Sequence, residues 1–178
     1  MTATAPADAL AARLRAASSA LAALGPSIEA GRPWPLHVVD HDAGPESEWG
    51  PTEVQAHVAE MLQYWRGEIA RVLDGGPGPV PFGRLATDRV RVLTIERDRT
   101  LPPGELLERI EAATDRYARL LAGLGPAGLA RRGVHPVRGE LTIEEILERF
   151  VVGHAEEHVV QLGAALAPRR PDGPGPGT

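Results

Sequence analysis

Phe150-Val151-Val152-Gly153-His154-Ala155-Glu156-Glu157-His158-Val159-Val160-Gln161-Leu162 reads as one helix. With the residues before it, Ile143, Leu147, Phe150, His154, Gln161 and Leu162 recur at steps of three, four and seven, so they line one face. The two histidines therefore fall on the apolar stripe, one turn apart. Imidazoles four residues apart on a helix can both reach one cation, and metal sites use this spacing for that reason. Two ligands make half a site, and the third must come from elsewhere in the chain.

Working outward, Thr142-Ile143-Glu144-Glu145 is a capping box that starts this helix, which runs to about Leu166. Three more helices precede it. Ala7 to Leu24 carries Leu10, Leu14, Ala17, Leu21 and Leu24 as a narrow seam, and Gly25-Pro26 is expected to stop it. Gly50-Pro51-Thr52-Glu53 opens the second, with Pro51 preorganised for the first helical position and Glu53 favouring the positive end or the cap. Its buried face is Val54, His57, Val58, Met61, Trp65, Ile69 and Val72. Gly104 to Leu124 is the third, with Leu106, Ile110, Ala113, Tyr117, Leu120 and Leu124 inward and an ordinary charged outer face. Residues 1–167 form one domain. The Pro/Gly-rich tail 168–178 is expected to be disordered.

Two connections matter. Ser27 to Trp49 is irregular and contains His37-Val38-Val39-Asp40-His41-Asp42, which reads as a solvated loop cluster because a loop lacks the fixed ligand geometry of a helix. Asp74 to Pro103 is long, and its pattern does not decide between a short helix and an extended piece around Arg89 to Ile95. Antiparallel neighbours in a bundle need only about two to eight linking residues. A link this long can return along the whole bundle, so that the third helix starts at the same end as the second. The fold expected is all-α: a four-helix bundle, up-down-down-up, with the long crossover between helices 2 and 3. Ala127 to Glu140 is read as a short connection, and His135 within it as a loop residue away from the histidine pair.

That topology brings a third histidine into play. His57 lies roughly 9 Å into its helix and His158 roughly 12 Å from the end of its own. If the two helices are antiparallel these levels coincide; in a simple up-down-up-down bundle they would be offset by roughly 9 to 15 Å. His57, His154 and His158 thus become one expected three-histidine metal site with open positions for water or substrate.

Composition limits what such a site can be. The chain has 178 residues, 43% apolar and 24% charged, which is a soluble globular class with room for one core. It contains no Cys, so thiolate ligands, disulfides and a cysteine nucleophile are excluded, and any thiol must come from outside. A net charge of −5 without a basic block argues against nucleic acid or anionic membranes as partners. No apolar run approaches the ~20 residues of a membrane span, and the first residues lack a signal-peptide core, so the expected location is the cytoplasm.

Trp49-Gly50-Pro51-Thr52-Glu53-Val54-Gln55-Ala56-His57, then Gly139-Glu140-Leu141-Thr142-Ile143-Glu144-Glu145-Ile146-Leu147, then His154-x₃-His158-x₂-Gln161 resemble the DinB/YfiT-like superfamily of metalloenzymes, over residues from about 8 to 166. The resemblance implies an up-down-down-up bundle, often a homodimer, and a divalent metal, nickel or zinc in many members, on the histidines matching His57, His154 and His158. It also implies small-molecule substrates, with relatives that are transferases or isomerases using mycothiol or bacillithiol.

The leading expectation is therefore a metal-activated external thiol attacking an electrophile. Glu60 and Tyr64, one and two turns after His57, and Gln161, three residues after His158, are the candidate supporting or substrate-contacting residues. Trp34, Trp49 and the loop from Gly31 to Glu48 are expected to cover the site. An alternative is metal-dependent hydrolysis: His154-Ala155-Glu156-Glu157-His158 fits H-x-x-E-H, although the only downstream acid is Asp172, and Glu157 points off the histidine line. A third class is a bundle that binds a ligand or partner without catalysis. A di-iron carboxylate site is excluded, because no histidine of the three has a glutamate three residues before it.

Overall fold

The computed structural model describes residues 5–39 and 46–167. The expected tail disorder, Asp172, and the Asp40, His41 and Asp42 part of the loop cluster lie outside the described residues. In chain order the elements are α1 (Pro6–Ala30), a 3₁₀ turn (Glu46–Glu48), α2 (Pro51–Asp74), β1 (Val80–Pro81), α3 (Arg89–Asp98) and α4 (Pro103–Ala122). There follow α5 (Pro126–Leu129), β2 (Arg132–His135), β3 (Gly139–Thr142), α6 (Ile143–Leu147), a π turn (Glu148–Val152) and α7 (Gly153–Leu166).

Four rods make the bundle: α1, α2, α4, and the α6–π–α7 helix. α1 packs on α4 and α7, and α2 packs on the same two. Leu10, Leu14 and Leu21 of α1, Leu106, Ile110 and Tyr117 of α4, and Ile146, Leu147 and Leu162 of the last rod are all buried together. Tyr117 satisfies its hydroxyl inside this core by donating to the Leu62 carbonyl at 3.0 Å. Contacts at the ends fix the directions. A Cβ on Gly25, late in α1, would lie 2.7 Å from Leu107, early in α4, so these two run oppositely and glycine permits their close approach. Leu73, at the end of α2, lies beside Gly128, just beyond α4, so α2 and α4 end together. Pro6, Leu124 and Thr142 border one small cavity, so α1 and α6 both start at that end. α2 and α7 are therefore antiparallel.

Several local expectations are corrected. Pro26 does not end α1, which continues to Ala30. A proline forfeits one helical hydrogen bond, but the extra turn buries Ile28 completely, and Trp34 donates its indole N–H to the Ile28 carbonyl at 2.7 Å. Glu53 makes no cap on α2. It is fully buried, accepting from the His37 amide at 3.1 Å and from Arg99 at 3.2 Å, and so ties the loop before α2 to the end of α3. The stretch around Arg89 is helical, capped by Asp88, which accepts from the Arg91 amide. Ala127 to Glu140 is more than a link. It contains α5 and a hairpin that completes a three-stranded sheet, with β1 parallel to β2 and β2 antiparallel to β3. Arg131 gathers the carbonyls of Val72, Gly75 and Gly76 at 2.7–3.0 Å, which fastens this sheet to the end of α2.

The last rod is not a uniform α-helix. Its π turn closes where the Gly153 amide bonds to the Glu148 carbonyl. A Cβ on Gly153 would lie 2.8 Å from that carbonyl oxygen, so the turn needs glycine at this place. π turns inside helices recur at functional sites, and this one immediately precedes His154. Among the described residues no helix is long and apolar enough to cross a membrane.

Candidate metal centre

His57 comes from the first turns of α2, His154 and His158 from α7. Antiparallel packing brings the three imidazoles together. The Nε2 atoms of His57 and His154 are 3.0 Å apart, and those of His154 and His158 are 3.2 Å apart. The ring centroids of His57 and His158 are separated by 4.9 Å. His57 and His158 are buried, while His154 is partly open to a cavity of about 780 Å³.

The protons on two of these rings are set by their other nitrogens. Gln161 donates its amide nitrogen to the backbone carbonyls of Glu46 at 2.8 Å and Trp49 at 3.4 Å. Its carbonyl oxygen is thereby left to face His158 Nδ1 at 2.9 Å, and a carbonyl only accepts. His158 must carry its proton on Nδ1. The same holds for His154, whose Nδ1 faces the Glu157 carboxylate at 3.2 Å. Both rings then turn bare Nε2 lone pairs toward each other. Two lone pairs at hydrogen-bond distance repel unless a cation lies between them. Burial favours the same neutral state. It holds His57 well below the ordinary imidazole value and, with the neighbouring His154, pushes His158 down to about 4. Neutral imidazole is the metal-binding form. In a tetrahedral site with bonds of about 2.0–2.1 Å, ligand nitrogens lie about 3.3 Å apart, close to the spacing here.

A fourth group, missed from the sequence, completes the cluster. Glu46, in the 3₁₀ turn, places one carboxylate oxygen 3.9 Å from His154 Nε2 and 4.0 Å from His57 Nε2. One ligand atom from each of Glu46, His57, His154 and His158 lies within 4.8 Å of all the others, so the four could hold a metal ion. The second oxygen of Glu46 is gripped by Arg91, itself buried, whose guanidinium also donates to the Ala86 carbonyl and lies over the Trp49 ring. Trp49 in turn sets its ring edge-on to His57 at 5.3 Å. The sequence signal for Glu46 was weak: one acid in an irregular segment, with its partner Arg91 about as far along the chain as α2 and its link are long.

The remaining candidates divide. Gln161 joins His158 to the loop that carries Glu46 and Trp49. Glu60 and Tyr64 are not at the imidazoles. Arg84 donates to both Glu60 oxygens at 2.6 Å and lies 3.7 Å above the Tyr64 ring. Only Arg84 of these three borders the 780 Å³ cavity. Of the two tryptophans expected to cover the site, Trp49 packs against His57, whereas Trp34 is engaged with the end of α1. His37 contributes its backbone to Glu53 and Arg99 and does not join the cluster. Glu157 lies behind the His154 ring, with its side chain 76% exposed, where it orients the ring and does not face the Nε2 atoms. His135 is corrected most. It is buried in β2, stacked on Phe150 at 5.4 Å, and lines the same cavity as His57 and His154.

The sequence model of a family described as the DinB superfamily matches residues 5–162. Among solved structures, YfiT from Bacillus subtilis is similar, with a TM-score of 0.67 at 19% identity over 89% of this chain and 85% of that one. YfiT is described as a probable metal-dependent hydrolase with an unusual four-helix bundle topology. No match was found among curated proteins.

Proposed function

The chain belongs to the DinB superfamily, and from that premise we propose that it is a metal-dependent enzyme whose divalent cation, zinc or nickel, is held by His57, His154 and His158. The observation that carries this is the pair of Nε2 lone pairs on His154 and His158, turned toward each other at 3.2 Å by protons fixed on the far side of each ring. A cation held by these three imidazoles would supply Lewis acidity and would lower the pKa of a nucleophile beside it.

The residues around it do the rest. Arg91 holds one oxygen of Glu46 and leaves the other facing His57 and His154, where it can accept the proton of a nucleophile. Gln161 fixes the orientation of His158 and anchors the Glu46 loop at the same time. The cavity beside His154 has the size of a small-molecule site. Hydrolysis, with Glu46 as proton acceptor, is the reading supported best. It also agrees with the description of YfiT. Transfer or isomerisation with a small external thiol such as mycothiol or bacillithiol is the second reading. It draws on a chain without cysteine and needs the same proton acceptor.

The test starts with protein purified without metal-affinity resin. The expected result is about one equivalent of zinc or nickel per chain, ester or amide hydrolysis that chelation abolishes, and loss of both in His57→Ala. Folded protein with no metal, or activity unchanged in His57→Ala, rejects the proposal. Turnover that appears only with added thiol moves it to the second reading.

A further inference from the structure

The cavity beside the imidazoles contains two arginines that the fold does not use. Its acidic side chains are engaged: Glu46 by Arg91, Glu148 by Arg13 in a bidentate pair at 2.7 and 2.8 Å, and Glu157 by His154. Arg84 is held by both oxygens of Glu60. Arg138 and Arg149 also line this cavity, and among the described residues neither has an acidic partner. Both are exposed, so solvent and a ligand can reach them. Arg138 lies 5.5 Å above the Phe150 ring. The same cavity is also lined by the aromatic rings of Phe150 and Trp65. Phe150 stacks on Trp65 at 4.4 Å and 17°, and on His135 at 5.4 Å and 15°.

A guanidinium offers paired N–H donors that match carboxylate and phosphate oxygens, and an aromatic face accepts a flat apolar group. Resting on the metal-site reading above, we propose that the substrate is a small organic oxyanion, a carboxylate or phosphate with a flat apolar portion. Arg138 and Arg149 bind its charged group, Phe150 and Trp65 bind its apolar part, and its reacting end points to His154. The spare positive charge is on the cavity rim although the whole chain carries −5, so the selection is local and not a consequence of net charge.

The full chain, both metal-free and zinc-loaded, would be titrated with benzoate, phenyl phosphate, benzyl alcohol and benzylamine, with binding followed by calorimetry and by NMR of the ligand. The two anions should bind at least about tenfold more tightly than the alcohol or the amine, in both metal states. The double variant Arg138→Ala/Arg149→Ala should lose about tenfold for the anions only, with its thermal melt and zinc content unchanged. Equal binding of all four compounds overturns the proposal. So does anion binding that requires zinc and ignores the double variant, because the anion is then a metal ligand; that result leaves the metal-site reading intact. Arginine-dependent anion binding by a chain that takes up no metal does the reverse, rejecting the metal site and keeping the anion site.

Discussion

Two buried histidines of this chain are wired in opposite ways. His135 and His158 have nearly the same exposure, 6% and 3%, and each lies against other rings. His135 Nδ1 accepts from the backbone amides of Val137 and Arg138 at 3.2 and 3.3 Å, so that nitrogen is spent in closing the β2–β3 turn. His158 spends its Nδ1 on Gln161 and leaves Nε2 aimed at another lone pair. Burial therefore does not distinguish a structural histidine from a ligand. Hydrogen-bond capacity left unmet in a converging direction does.

The contrast can be broken by removing each histidine in turn. Alanine at His154 or His158 should reduce bound metal from about one equivalent to near zero by elemental analysis, while His135→Ala retains it. Metal retained in both ligand variants would remove the distinction. Gln161→Ala should weaken metal affinity by about tenfold to a hundredfold in a competitive chelator titration, because the partner that fixes the His158 tautomer is gone. His135→Ala should instead cost stability, about 2 kcal/mol in a denaturant melt, through the lost stacking and the two orphaned amides. The smallest effect is on pH dependence. Desolvation, with nearby Arg138, lowers the His135 value, so the folded chain resists a proton that the unfolded chain takes up below about pH 6.5. Stability should fall as pH drops through that region, and the slope should be shallower in His135→Gln. An identical slope would mean that His135 does not titrate on unfolding.

The same contrast marks how far the sequence could be read. His57, His154 and His158 were legible together because local helical spacing places them on the facing sides of α2 and α7 and rod direction sets their levels. Both are regular properties that a chain repeats every turn. Glu46 was not, since its position depends on Arg91, which reaches it from α3 in a segment without decisive pattern. His135 was hidden for a related reason. Strands of two to four residues, interrupted by glycine, show no alternation long enough to identify. Glu60 and Tyr64 were on the expected side of α2, but a guanidinium from the link after β1 claims both, and no local spacing announces such a partner. Pro26 shows the converse: a strong stop signal was overruled by a side chain, Ile28, with somewhere to be buried.

The π turn at Glu148–Val152 has a wider consequence. One added residue rotates everything after it by about 100° relative to an uninterrupted helix. The rod thus joins two phases: Ile143, Ile146 and Leu147 face the core in one, and Ala155, His158 and Leu162 face it in the other. Deleting a single residue there would keep the packing of α6 while swinging both imidazoles, and with them Ala155 and Leu162, out of register with His57 and the core. The backbone count of this one turn therefore sets the aim of the imidazoles and the burial of Ala155 and Leu162 together, and neither can change without the other.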